Sequence, residues 1–150
     1  MAHCHTQPIG PFTGAFRFLS NFFPSPVEFE GLTYATVEHA FQAAKTVNPV
    51  ERERIRRCST PGEAKRLGRK LTLRPDWKLI ELEVMENLVR QKFTQHPRLR
   101  ELLLRTDSRP LVEQNTWGDR FWGLYHGVGE NHLGRILMKV RAELLKGEAQ

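Results

Sequence analysis

The chain has 150 residues, 39% of them hydrophobic and 27% charged, with a formal net charge of +6 and a pI near 9.7. That length suffices for one domain with a real core, and the composition is that of a globular protein. No window approaches the roughly 18 unbroken apolar residues of a membrane span, so an integral helical membrane protein is excluded.

The first ten residues, MAHCHTQPIG, have neither a basic n-region nor an apolar h-region, so no secretory signal is expected there. Residues 1–11 read as a flexible tail ahead of a domain over 12–146. The aromatic-rich FTGAFRFLSNF suggests a strand near Phe12–Phe18. Pro24 and Pro26 keep the next segment from being helical. PVEFEGLTY alternates Val27 and Phe29 with Glu28 and Glu30, and Gly31 supplies a turn, which predicts a short hairpin.

From Tyr34 onward the chain reads as mostly helical. In YATVEHAFQAAKTVNP, Val37, Ala40, Phe41 and Ala44 recur at helical spacing, with Thr36 as N-cap and Asn48-Pro49 as the end. A short Arg-rich helix follows at about 50–57. Thr60, Pro61 and Glu63 punctuate the start of another. Asp76 caps a long helix to about Gln95, with Ile80, Val84, Met85, Leu88, Val89 and Phe93 on a wide apolar face. Pro97 opens a helix with Leu99, Leu102 and Leu103 inward. PLVEQN suggests a strand, and a Gly- and aromatic-rich loop follows it. The last helix spans about His132 to Lys146, with Leu133, Ile136, Leu137, Val140 and Leu144 on one face and Gly147 after it. The expected fold class is α+β, mainly α-helical, a single compact domain with a few short strands.

Three features carry chemistry. Segment 51–70 has eight basic and three acidic residues, a local +5 that favours anionic partners such as phosphates or nucleic acid; the alternative is a solvated Arg-rich face. Glu38, Gln42 and Lys45 share a helix face opposite the apolar stripe. That face is either a solvated surface or the lining of a site. The stretch Asn115–Arg135 holds Trp117, Phe121, Trp122, Tyr125 and five glycines, and ends at a helix start near Asn131. Its aromatics either plug a core or stack on a flat ligand, and the free N–H groups of that helix suit a phosphate. A dinucleotide fingerprint is absent, because His132 stands where a glycine is required. Asp119 lies in this loop. Glu38 and Asp119 are candidates for a carboxylate pair of the kind that cleaves glycosidic bonds. Cys58 as a nucleophile and a His3-Cys4-His5 metal clip are weaker candidates. With two cysteines in all, a reducing cytoplasm is the expected location.

The blocks FLSNFFPSPVEFEGLTYATVEHAFQAAKT, STPGEAKRLGRK, RPDWKLIELEVMENLVRQKF and DRFWGLYHGVGENHLGRILMKVR, in this order, resemble the NADAR (YbiA-like) family over about residues 12–146. The resemblance implies a compact, largely helical domain and an N-glycosidase acting on ribose-linked substrates, with no metal and no cofactor. One branch of the family hydrolyses early riboflavin-pathway N-ribosides; another removes ADP-ribose from modified guanine in nucleic acid. The chain departs from the riboflavin-type branch around Leu124-Tyr125, so the ADP-ribose branch is at least as good a match.

By resemblance, the motif's acidic residue falls on Glu38 and its basic residue on Lys45. Asn21, Trp77, Asp119, Trp122, Gly123 and Asn131 match the family's other marked positions. The mechanism implied has Glu38 and Asp119 sharing the proton work and Trp77 and Trp122 clamping the leaving group. Lys45 with one or more of Arg69, Lys70 and Asn131 would hold phosphate. The implied partner is a ribose-phosphate or ADP-ribose substrate, including ADP-ribosylated nucleic acid, and no membrane. Two alternatives stand beside this: a module that binds ADP-ribose or a nucleotide without cleaving it, and a purely structural partner protein.

Overall fold

The computed structural model describes residues 6–149. The fold is mainly α-helical with four short strands among the described residues. Two compact units are distinguishable, Asn21–Lys92 and a second made of the chain up to Ser20 together with Phe93 onward.

In the Asn21–Lys92 unit, β1 (Val27–Phe29) pairs antiparallel with β2 (Leu32–Tyr34), with Val27 opposite Tyr34. Glu30 and Gly31 both take positive φ, the tight turn whose twist matches that of the flanking strands. The hairpin packs on α1 (Val37–Ala44), which begins where the Thr36 hydroxyl accepts the His39 N–H at 3.1 Å. Asn48-Pro49 does not end this helix, as expected, but starts the next. Lys45 closes α1, while Asn48 Oδ1 caps α2 (Pro49–Arg56) by accepting from Val50 and Glu51. Thr60 caps α3 (Pro61–Gly68), and the Glu63 carboxylate reaches back to the Ser59 N–H at 3.0 Å. The long α4 (Trp77–Gln95) belongs to this unit as far as Lys92. Its buried stripe is Trp77, Met85, Leu88 and Val89, whereas Ile80 and Val84 are only half-buried.

The second unit opens differently from expectation. Ile9, within the segment read as a tail, is 1% exposed; its N–H donates to the Pro110 carbonyl and its carbonyl accepts from Val112. Instead of a strand, Gly14–Leu19 forms a 3₁₀ turn. Phe12, Phe16 and Phe18 mimic a period of two, but neighbouring Phe18 and Leu19 are both buried, which an alternating strand does not allow. Pro97–Leu104 forms α5, with Leu99 and Leu103 buried and Leu102 half-buried. The strand expected over PLVEQN shrinks to β3 (Gln114–Asn115), paired in parallel with β4 (Leu124–Tyr125), plus a bridge from Leu111 to Ile9. The last helix, α6 (His132–Ala149), buries Leu133, Ile136, Leu137 and Val140 and continues through Gly147. No helix among the described residues is long and apolar enough to cross a membrane.

Candidate functional site

All eight residues of α1 are buried, the polar ones included. The Glu38–Gln42–Lys45 face is therefore not a solvated surface. The hairpin covers α1 from one side, and α2 and α3 pack against it from others. Ionisable groups are seldom placed so unless paired or functional.

Glu38 is 8% exposed. Its backbone N–H donates to the Asn21 carbonyl at 3.1 Å, which ties the Asn21-Phe22 segment to the first turn of α1. The side-chain amide of Asn21 points to Met85 Sδ at 3.4 Å. Gln42 Nε2 donates to Glu38 Oε2 at 2.5 Å. Desolvation pushes the Glu38 carboxyl above the usual carboxylate range, against the opposing pull of the Gln42 amide and of Lys65 and Lys45. The Lys45 ammonium is held below the usual lysine range by its own burial, with Glu38 and Glu81 acting the other way. Its Nζ lies 5.9 Å from the centre of the Phe41 ring. Glu81, buried on α4, meets Lys78 at 3.5 Å. Buried carboxyl, buried amide and half-buried ammonium thus sit on successive turns of one helix.

Around this set the sequence expectations divide. Trp77 is 4% exposed and packs on Phe41 with ring centres 5.1 Å apart, as part of the core beside α1. Sequence reasoning missed Phe22, whose ring is 41% exposed with Lys65 Nζ 5.9 Å above it. The signal was present, since the aromatic directly follows the matched asparagine. Arg69 and Lys70, at the end of α3, are exposed. Arg69 lowers the proton affinity of Lys45 by its charge. His39 serves the fold. Its Nδ1 meets the Thr36 hydroxyl at 2.8 Å and its Nε2 the Cys58 carbonyl at 3.0 Å, joining α1 to the end of α2. Cys58 has its thiol pushed up by burial and by Glu63, the wrong direction for a nucleophile.

The second cluster occupies the loop of the other unit, and there the polar groups serve the backbone. Asn115 Nδ2 donates to the Asp119 and Leu124 carbonyls at 2.8 and 3.2 Å, and its Oδ1 accepts the Asp119 N–H at 2.9 Å. Asp119 Oδ1 accepts from the N–H groups of Phe121 and Trp122 at 3.0 and 2.9 Å, a local turn closure. Asn131, with φ of 53°, accepts the Glu113 N–H at 2.9 Å and donates to the Leu111 carbonyl at 3.0 Å. The N-terminus of α6 is not a free phosphate cradle. The N–H groups of Asn131, His132 and Leu133 go to the carbonyls of Gly123, Phe121 and Trp122. Trp122 stands edge-on to Phe121 with centres 4.9 Å apart, and Phe121 lies 4.5 Å from His132. Gly123 is required by close approach, because a Cβ there would overlap the Glu113 carbonyl and carboxylate.

Among the described residues, no group of three or more His, Cys, Asp and Glu side chains is placed to hold a metal ion. His3, Cys4 and His5 lie outside the described residues.

Comparison with known proteins shows the family and the fold. The NADAR domain family matches residues 4–145. The chain is 44% identical over 128 residues to the N-glycosidase YbiA of Escherichia coli, covering 83% of this chain and 79% of that protein. An N-glycosidase of Nostoc punctiforme is 41% identical over 144 residues, covering 92% of this chain and 87% of the other. A riboflavin biosynthesis protein of Vibrio vulnificus is 40% identical over 130 residues, 85% of this chain and 35% of its own length. The NMR structure of E. coli YbiA superposes with a TM-score of 0.83 at 39% identity, over 95% of this chain and 86% of that one. With a family match over nearly its whole length and the same mainly helical fold as a solved relative, the chain belongs to the NADAR domain family.

Proposed function

We propose that this protein hydrolyses the N-glycosidic bond between a ribose phosphate or ADP-ribose moiety and an amine or base. It is a hydrolase acting on N-glycosyl compounds, in keeping with relatives that carry the N-glycosidase name at 41% and 44% identity. The observation that carries the reading is Glu38, a desolvated carboxyl with raised proton affinity set beside lysines. Such a group keeps its proton to higher pH than a solvated carboxyl and delivers it to a leaving nitrogen. As the C1′–N bond breaks, its electron pair goes to nitrogen and the Glu38 proton follows. Water then bonds to C1′ and returns a proton to the Glu38 carboxylate, so the enzyme ends as it began. The same carboxylate stabilises positive charge at C1′ between the two steps.

Lys45, Lys65 and Arg69 supply the cations for the sugar phosphate, and Phe22 supplies an exposed ring for the planar leaving group. Asp119, Trp122, Gly123 and Asn131 shape the loop. Two substrate classes are supported by separate observations. The Vibrio relative's name points to riboflavin-pathway N-ribosides. The exposed side chains of Arg54, Arg57, Arg66, Arg69 and Lys70 favour a polyanion, such as ADP-ribosylated nucleic acid.

Incubating the purified protein with each class and reading products by mass spectrometry tests the proposal. Release of ribose 5-phosphate identifies the first class, and release of ADP-ribose the second. Glu38→Gln is expected to lower turnover by a factor of about 10² to 10⁴ while leaving affinity within a few-fold. Binding without any product from wild-type protein would leave a non-catalytic ADP-ribose or nucleotide module in its place.

A further inference from the structure

Gln42 lies one helical turn after Glu38 and is 4% exposed. The two ends of its amide have unequal fates. Nε2 donates to Glu38 Oε2 at 2.5 Å, whereas Oε1 is buried with no hydrogen-bond partner. Buried polar atoms are almost always paired, so the bare oxygen is an outlier on an otherwise regular helix. Its surroundings show what holds it there. α3 crosses α1 at Gly68, and a Cβ at that position would overlap Gln42 Oε1 and lie 2.7 Å from the amide carbon. The backbone of α3 therefore abuts the oxygen end and confines the amide. Rotating the amide by half a turn would set its oxygen against the ionised carboxylate and lose its side-chain bond to Glu38. A residue needed only for packing would be better replaced by a hydrophobe of the same shape, which leaves no polar atom unpaired.

We propose that Gln42 is the positioning residue of Glu38, locked between that carboxyl and the α3 backbone at Gly68 so that Oε2 is held and Oε1 is left for proton transfer. This rests on the reading of Glu38 as the proton donor. The amide N–H favours the charged carboxylate, and Lys65 from α3 with Lys45 and His39 from α1 act in the same sense, all against desolvation. Gln42 is the one of these whose direction relative to the carboxyl is fixed by a direct bond. It thus sets both the aim of the acid and part of its proton affinity.

The first test uses the wild-type protein. The Glu38 carboxyl carbon and the Gln42 side-chain amide are followed by NMR across pH. The Gln42 amide signal is expected to inflect at the Glu38 midpoint, and an amide signal indifferent to Glu38 titration overturns the proposal. Gln42→Met removes the donor at similar volume. It is expected to raise the Glu38 midpoint, move the alkaline limb of kcat to higher pH and lower kcat about tenfold with KM within twofold. Gly68→Ala puts a Cβ where Gln42 Oε1 sits, displaces the amide from its bond to Glu38, and is expected to shift the same limb in the same direction. A Glu38 midpoint unchanged in folded Gln42→Met protein sinks the lock. If Glu38→Gln keeps full turnover, the donor reading falls although the amide titration stands, so the two failures are separable.

Discussion

The α1 face and the Gly-rich loop carry similar residue types and use them in opposite ways. In the loop, each short polar side chain is consumed by nearby backbone. Asn115, Asp119 and Asn131 together bond N–H or C=O groups from Leu111 to Leu124. On α1 the backbone is satisfied by the helix, the Glu38 carboxyl is buried against the Gln42 amide, and the amide oxygen of Gln42 is buried without a partner. Polar groups that close turns stabilise the fold; polar groups desolvated beyond what the fold needs are held for a ligand or a reaction. On the function proposed above, that criterion puts the chemistry on α1 and the architecture in the loop, although motif matching marks both.

The largest effect expected from this contrast is in the loop. Asn131→Ala removes both side-chain bonds and places a Cβ-bearing residue without side-chain compensation at φ of 53°. Adding the cost of two unpaired backbone groups to that of a left-handed alanine gives a loss of about 3 kcal/mol, measured by urea denaturation. Substrate affinity of the folded fraction should change little. A large rise in KM with unchanged stability would restore Asn131 as a phosphate ligand and break the comparison.

Glu38→Gln is expected to do the reverse and stabilise the protein near neutral pH. The folded state holds the Glu38 proton more tightly than the unfolded chain, whose carboxyl titrates near 4.5. Wild-type stability therefore falls as pH rises from there through the raised folded value, and the full penalty is present above it. Every tenfold gain in proton affinity on folding corresponds to about 1.4 kcal/mol, and each kcal/mol to roughly 3 °C in a chain of this size. Glu38→Gln should melt a few degrees higher than wild type at pH 7 and no higher at pH 4. An unchanged Tm at both pH values would mean that burial does not strain Glu38.

Much of this was legible in the sequence, and the failures have physical causes. Thr36 and Thr60 announce their helices because a cap is a local bond between near neighbours, whereas Asn48, read as an end, caps the next helix. The hairpin is equally local. The burial of Glu38 and Gln42 was not legible, because the hairpin, α2 and α3 that cover α1 come together only through tertiary packing. The burial of Trp77 was hidden for the same reason; its partner Phe41 lies 36 positions away and nothing in the pattern joins them. Lys92 is a further case. Nothing in the helix pattern singles it out, yet it is 1% exposed, lies 5.8 Å from the Phe23 ring centre, and is pushed down by desolvation to about 7. In the loop, the helix N-terminus near Asn131 promises free N–H groups. Carbonyls of Phe121, Trp122 and Gly123, brought back by a chain reversal the pattern does not show, take them instead.

The smallest expected effect is the sharpest discriminator. Family resemblance pairs Asp119 with Glu38 as a second catalytic carboxylate, and an acid and its amide differ at that position in one decisive way. The turn uses a single acceptor, Oδ1, for the N–H groups of Phe121 and Trp122. An asparagine side chain would offer the same acceptor from its amide oxygen, so Asp119→Asn keeps the turn at the cost of the charge alone. If Asp119 is architecture, this variant should stay within about 0.5 kcal/mol of wild-type stability and within about threefold of its turnover, whereas Asp119→Ala should lose about 1 kcal/mol. If Asp119 moves a proton or steadies charge at C1′, Asp119→Asn should instead fall as far as Glu38→Gln while remaining fully folded. Steady-state kinetics of the two isosteric variants under one set of conditions therefore decide whether one carboxylate or two perform the reaction.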